Sequence, residues 1–224
     1  MENRKHTSLK DLAQALGVSI PTVSRALKDS PEISRELCAK AKALAKEMNY
    51  RPNPFAMSLR KNAPRIIGVV VPDIVTHFFA SILNGIENMA IDNGYFVIIT
   101  TSHESFEHEK RNIENLVNMR VEGIIACLSQ ETTDFSHFAA LKEINMPLIL
   151  FDRVCLTDQF SSVIADGAQS AQMATQHLLD NGSKRVAFIG GANHLDIVKR
   201  RKHGYLEALR DNRIPIEKEL VVCR

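Results

Sequence analysis

The chain has 224 residues, 45% of them hydrophobic and 24% charged, with a formal net charge of +2. It is long enough to bury a sizeable core, and it shows neither a signal-peptide pattern nor an apolar run of membrane length, which excludes a membrane-anchored class. Cys38, Cys127, Cys155 and Cys223 lie far apart, as do the eight histidines, so the cysteines read as reduced thiols of a cytoplasmic protein and a metal site is not expected.

Ser8 and Asp11 make a helix-starting capping pair, and Leu9, Leu12, Ala13 and Leu16 recur on one face, which predicts a first helix over about 9–16. Gly17 suits a left-handed helix exit, Val18 plugs the turn, and Ser19 caps a second helix predicted over about 20–28, with Pro21 tolerated near its start. Its apolar stripe reads as Ile20, Val23 and Leu27. Ser34 caps a third helix with Leu37, Ala41, Leu44 and Met48 on one face. A plain three-helix bundle would show the same periods. Charge argues for more: residues 1–62 hold twelve Lys or Arg against six Asp or Glu, a net of +6, while the remainder is −4. A basic head on an acidic body is the footprint of a nucleic-acid contact confined to one end.

The segment from Ser8 to Lys61 resembles the headpiece of the lac and purine repressor family. The resemblance implies a helix-turn-helix whose second helix enters the major groove of a palindromic operator in double-stranded DNA, bound by a homodimer, with pairing into a tetramer left open. Its base-reading positions fall on Ile20, Pro21 and Arg25. Arg25 is the bidentate guanine reader, while Ile20 and Pro21 offer apolar contact. Thr22, Ser24 and Lys28 suit phosphates, and Leu9 and Ser19 complete the DNA-facing set. In YRPNPFAMSLRK, residues 50–61, Asn53 and Pro54 can open a helix of only two turns. The resemblance makes this a hinge helix that forms on the operator, with Leu59 wedged into the minor groove and Arg60 beside it. The bland alternative is a basic linker.

From Arg65 onward, apolar runs at 66–71, 96–100, 123–128, 148–151, 162–165, 186–190 and 219–223 alternate with helical stretches over 79–93, 106–119, 135–144, 168–181 and 202–211. The pattern predicts an α/β fold, a parallel sheet covered by helices on both faces. Such sheets bind ligands beyond the carboxyl ends of their strands. Asp73, Phe78 and Phe79 follow the first strand, Asp152 and Arg153 the fourth, and Asp166 the fifth; Arg201 precedes Gly204 and Tyr205. Carboxylates, an arginine fork and an aromatic face suit a sugar or nucleoside effector. Equally, Asp73 and Asp166 can cap helices, and Phe78 and Phe79 can be core.

This half resembles the effector-binding core of the same repressors, itself similar to periplasmic sugar-binding proteins, in VVPDIVTHFFASILNGIE, LILFDR and VIADGAQSAQMATQHLLDNG. The resemblance implies that Phe79 stacks on the effector ring, Asp152 and Arg153 edge the cleft, and Arg201 is the arginine of an R-x-x-G-aromatic motif. Because that motif sits in KRRKHGY, Arg200 is a rival. Expected boundaries are a headpiece over 1–50, a hinge over 51–64, a first core subdomain over 65–160 and a partial second subdomain over 161–224, from which a longer parent protein is expected. Ile82, Ile86 and Met89, and the helix around Leu116, are candidate dimer faces, and core burial explains the same residues equally well.

No phosphate-cradling glycine motif, esterase elbow or zinc helix is present, so neither catalytic residues nor a cofactor are assigned. The reading is a transcriptional regulator, a repressor by sign, controlled by a small-molecule effector. Its rival is an α/β enzyme acting on a sugar or nucleotide with a basic N-terminal tether.

Overall fold

The computed structural model describes residues 7–50 and 65–223, and the chain divides into two compact units with the break after Asn62. The hinge assignments Asn53, Leu59 and Arg60 lie outside the described residues.

The first unit holds three helices, α1 (Leu9–Leu16), α2 (Ile20–Ala26) and α3 (Arg35–Glu47). Each starts on a serine whose hydroxyl accepts an amide hydrogen bond from the first turn: Ser8 from Asp11, Ser19 from Thr22 and Ser34 from Leu37. The Asp11 carboxylate returns the bond to the Ser8 amide at 2.8 Å, completing a capping box. Gly17, at φ 66°, ends α1 in the left-handed region where a β-carbon is disfavoured. Leu12, Val23, Ala26 and Ala41 are fully buried. Ile20 departs from the predicted apolar stripe: it is 40% exposed, and the buried positions of α2 are Val23 and Ala26, three residues apart on the face turned to α1 and α3. The helix also ends at Ala26 and not at Lys28.

The second unit begins with β1 (Ile66–Val71), α4 (His77–Asp92), β2 (Phe96–Thr101), α5 (Phe106–Asn118), β3 (Gly123–Ala126), α6 (Ser136–Glu143), β4 (Leu148–Phe151) and β5 (Ser161–Val163). All pairings are parallel, in the order β2-β1-β3-β4-β5. The order reverses between β1 and β3, so a crevice opens beyond the carboxyl ends of these strands. One side of the sheet packs through Val70, Ile113, Leu116, Ile124, Phe138 and Leu150, the other through Val69, Val71, Phe79, Leu83 and Phe151. Leu116, sought as a dimer face, is instead a core residue. It fills the space above Gly68, where a β-carbon would come within 2.7 Å of its Cδ1.

There follow α7 (Gly167–Asp180), β6 (Phe188–Gly190), α8 (Asp196–Asp211), a 3-10 turn (Lys218–Leu220) and β7 (Val221–Cys223), with β6 and β7 parallel. Gly94 (φ 73°) and Gly182 (φ 89°) follow α4 and α7 as left-handed exits. The last helix begins six residues before its predicted start. Its buried face, Val198, Tyr205 and Leu209, begins about one turn ahead of Lys202, and Asp196 pairs with Arg200 across the first turn at 2.5 Å. A run of basic residues had masked that period. Against α7 the helix approaches so closely that a β-carbon on Gly204 would lie 1.9 Å from the Ala168 carbonyl oxygen.

Candidate functional site

Two sites were expected, one in each unit. In the first, the face of α2 away from the core carries Ile20, Pro21 and Arg25, all exposed, with Lys28 exposed just past its end, Ser19 exposed at its cap and Thr22 and Ser24 half-buried at its flanks. The Ser19 and Thr22 hydroxyls are hydrogen-bonded to each other at 2.8 Å. Leu9 packs partly into the core of the unit and is not on that face. Arg25 is held by Glu32 at 2.6 Å, with both side chains more than half exposed. An exposed pair of this kind contributes little to stability, so Arg25 can exchange partners at small cost.

In the second unit the carboxyl ends of the strands meet at a cleft of roughly 260 Å3, just below the usual range for small-molecule pockets of about 300–1,000 Å3. Leu128, Thr132 and Arg153 line it from the first sheet, and His194, Lys199 and Arg200 from the start of α8. Of the expected effector residues, Arg153 lies in this lining, together with the rival Arg200. Arg200 is paired to Asp196, whereas Arg201 lies beside Gly167 and acts electrostatically on Asp152. Burial raises the Asp152 carboxyl above its ordinary range, against the opposing pull of Arg153 and Arg201.

Three of the expected effector residues have the structural roles that were their alternative reading. Asp166 is the N-cap of α7, its carboxylate accepting from the Gln169 amide at 3.0 Å. Asp73 accepts from the Val75 amide at 2.9 Å, a turn that leads into α4, whose own cap is Thr76. Phe79 is a core ring, 6% exposed and edge-on to Phe151 at 6.4 Å, so it offers no face to a ligand in this structure. The open ring beside it is Phe78, 51% exposed.

Two carboxylates were missed. Glu104, three residues after β2, grips Arg153 with both oxygens and also accepts from the Gln130 amide at 2.7 Å. Glu109, fully buried, accepts from the Ser129 amide at 2.5 Å, the Thr132 hydroxyl at 2.7 Å and His137 Nε2 at 3.0 Å. These bonds put the His137 proton on Nε2 and leave Nδ1 buried without a partner. Together the two glutamates fix the loop after β3 that floors the cleft. Glu104 follows β2, and Ser129 and Thr132 follow β3, the same strand-end position that marks Asp73, Asp152 and Asp166 in the sequence. Burial pushes the Cys127 and Cys155 thiols up to about 12, so neither is a nucleophile at neutral pH. Among the described residues no group of three or more His, Cys, Asp or Glu gathers as a metal site, and no helix is long and apolar enough to cross a membrane.

Residues 65–223 match the family described as periplasmic binding proteins and sugar binding domain of LacI family, and residues 8–53 match bacterial regulatory proteins, lacI family. The chain belongs to the LacI family. Among its relatives, catabolite control protein A of Priestia megaterium is 31% identical over 97% of this chain and 65% of its own length. The ribose operon repressor of Bacillus subtilis is 31% identical over 94% of this chain and 62% of its own. Among solved structures, the lac repressor dimer bound to operator and the anti-inducer ONPF superposes with a TM-score of 0.74 at 25% identity, covering 98% of this chain and 65% of that one. The regulator CcpA of Lactococcus lactis gives 0.65 at 28% identity over 70% and 58%. This LacI-family chain thus spans less than two thirds of the length of these relatives.

Proposed function

We propose that the chain acts in a sequence-specific transcriptional repressor of the bacterial cytoplasm, binding a palindromic operator as a homodimer and responding to a small-molecule effector of the sugar or nucleoside type. Tetramers are a further assembly open to it. It is a binding protein and not an enzyme. In this reading residues 1–50 form the headpiece, 51–64 the hinge, and 65–160 and 161–224 the two parts of the effector core. The observation that carries the reading is the division of α2: Val23 and Ala26 are fully buried while Ile20, Pro21 and Arg25 face solvent. A helix anchored on one side, with an arginine and apolar side chains at its opening turns on the other, is shaped for a major groove.

The effector couples to DNA by linkage. It binds one core conformation more tightly, and that conformation sets whether two hinge segments can meet on the operator. A coupling of about 1–3 kcal/mol suffices for a useful switch.

Selection from a random duplex library at two salt concentrations tests the reading. Enrichment of a palindrome, with affinity falling steeply as salt rises, is expected; salt-sensitive binding without enrichment would count against a repressor. On the enriched site, Arg25→Ala is expected to relax base preference at one position of each half-site by about 1–3 kcal/mol, read from competition with base-substituted duplexes. Unchanged preference would assign that base to another residue.

A further inference from the structure

The guanidinium of Arg153 is already engaged. Its Nη1 donates to Glu104 Oε2 at 2.6 Å and to the Leu128 carbonyl at 3.3 Å, and its Nη2 donates to Glu104 Oε1 at 3.0 Å. An arginine has five N–H donors. Three are used here, which leaves the Nε–H and one Nη2–H. The positive charge is matched by a bidentate carboxylate in a pair whose arginine side chain is only 19% exposed. Glu104 is itself fixed, because the same Oε2 accepts from the Gln130 amide and its backbone is left-handed (φ 62°), as is that of His103 before it (φ 52°). Consecutive non-glycine residues in that region are uncommon and cost energy, so the surrounding bonds hold this carboxylate in place against local preference.

We infer that Glu104 is a selectivity residue of the cleft: by matching the charge of Arg153 it makes this subsite accept uncharged hydroxyl groups and refuse phosphate and carboxylate groups. The inference rests on reading the cleft as the effector site, and it narrows the effector there to a neutral polyol. A hydroxyl oxygen needs one N–H donor, and two remain. A phosphate could take the same two donors, which share one edge of the guanidinium, but there the positive charge is already matched by Glu104 and a second anion is disfavoured. Rejection through a like charge is a recognised route to specificity. Glu104 acts on the ligand through Arg153, as a positioning residue.

Titration calorimetry with inorganic phosphate tests this on the 224-residue chain, on Glu104→Gln and on Glu104→Gln combined with Arg153→Met. The single variant is expected to bind phosphate roughly tenfold more tightly than the unaltered chain, since a freed guanidinium fork is a strong phosphate partner. The double variant should lose that gain. Equal phosphate affinity in the unaltered chain and Glu104→Gln overturns the inference. A second measurement needs no variant fold beyond that used for assignment: the Arg153 Nε–H resonance, identified with Arg153→Lys, should stay in place as phosphate is added to the unaltered chain. A saturable shift of that resonance overturns the inference too. Neither readout requires an effector, so their failure is distinct from failure of the effector reading, which would appear as no binding of D-ribose, D-glucose or maltose.

Discussion

Gly204→Ala is expected to destabilise the second unit by about 3 kcal/mol, because the new methyl has nowhere to go. Its β-carbon would stand 1.9 Å from the Ala168 carbonyl oxygen and 3.0 Å from the Gln172 amide nitrogen. Both are backbone atoms of α7, so rotamer changes cannot relieve the overlap and the two helices must part. For a unit of this size such a loss lowers the melting temperature by roughly 6–12 °C. Calorimetry or a thermal melt followed by circular dichroism measures it. A shift below about 2 °C would mean that α7 and α8 slide apart at little cost. The glycine of the R-x-x-G-aromatic motif thus serves packing. So does the aromatic: Tyr205 is 2% exposed and donates its hydroxyl to the Val186 carbonyl at 2.9 Å. Because Arg201 rides on the same helix beside Gly167, the substitution is also expected to disturb the Arg201–Asp152 side of the cleft.

Glu109→Ala is expected to cost about 3 kcal/mol or more, since each buried donor left without an acceptor costs about 1–3 kcal/mol. Three donors lose their acceptor at once: the Ser129 amide, the Thr132 hydroxyl and His137 Nε2. The Glu109→Gln variant separates charge from shape. Its amide oxygen can serve Thr132 and His137, but its NH2 then faces the Ser129 N–H, donor against donor, and an intermediate loss is expected. Urea unfolding of both variants measures the order. Stability of Glu109→Gln equal to the unaltered chain would show that the Ser129 amide finds another acceptor.

Much of this architecture is readable from side-chain period and capping chemistry, since both are local. The three serine caps, the left-handed glycines and the alternation of apolar strands with helices need no knowledge of the rest of the chain. Local signals also mislead where one residue type serves two purposes. Ile20 fits the apolar stripe of α2 and yet faces solvent; Asp166 has the chemistry of a ligand group and yet caps α7. The cleft was harder to read because its geometry is set by pairs distant in sequence. Glu104 and Arg153 are 49 residues apart, and Glu109 and His137 are 28 apart. No period links them. Strand ends locate the crevice, but which carboxylate reaches which guanidinium depends on how neighbouring loops fold back over the sheet.

The pairing of Arg25 with Glu32 changes what an alanine scan of the DNA-facing helix can measure. An arginine that is unengaged before binding gains the whole of a guanine contact; one that begins at 2.6 Å from a carboxylate gains only the difference between two partners. In the proposed DNA complex recognition is an exchange reaction, whose product includes a released glutamate beside a polyanion. The energy lost on deleting Arg25 therefore understates the strength of the contact it makes, and a thermodynamic cycle closed through Glu32 is needed to recover it.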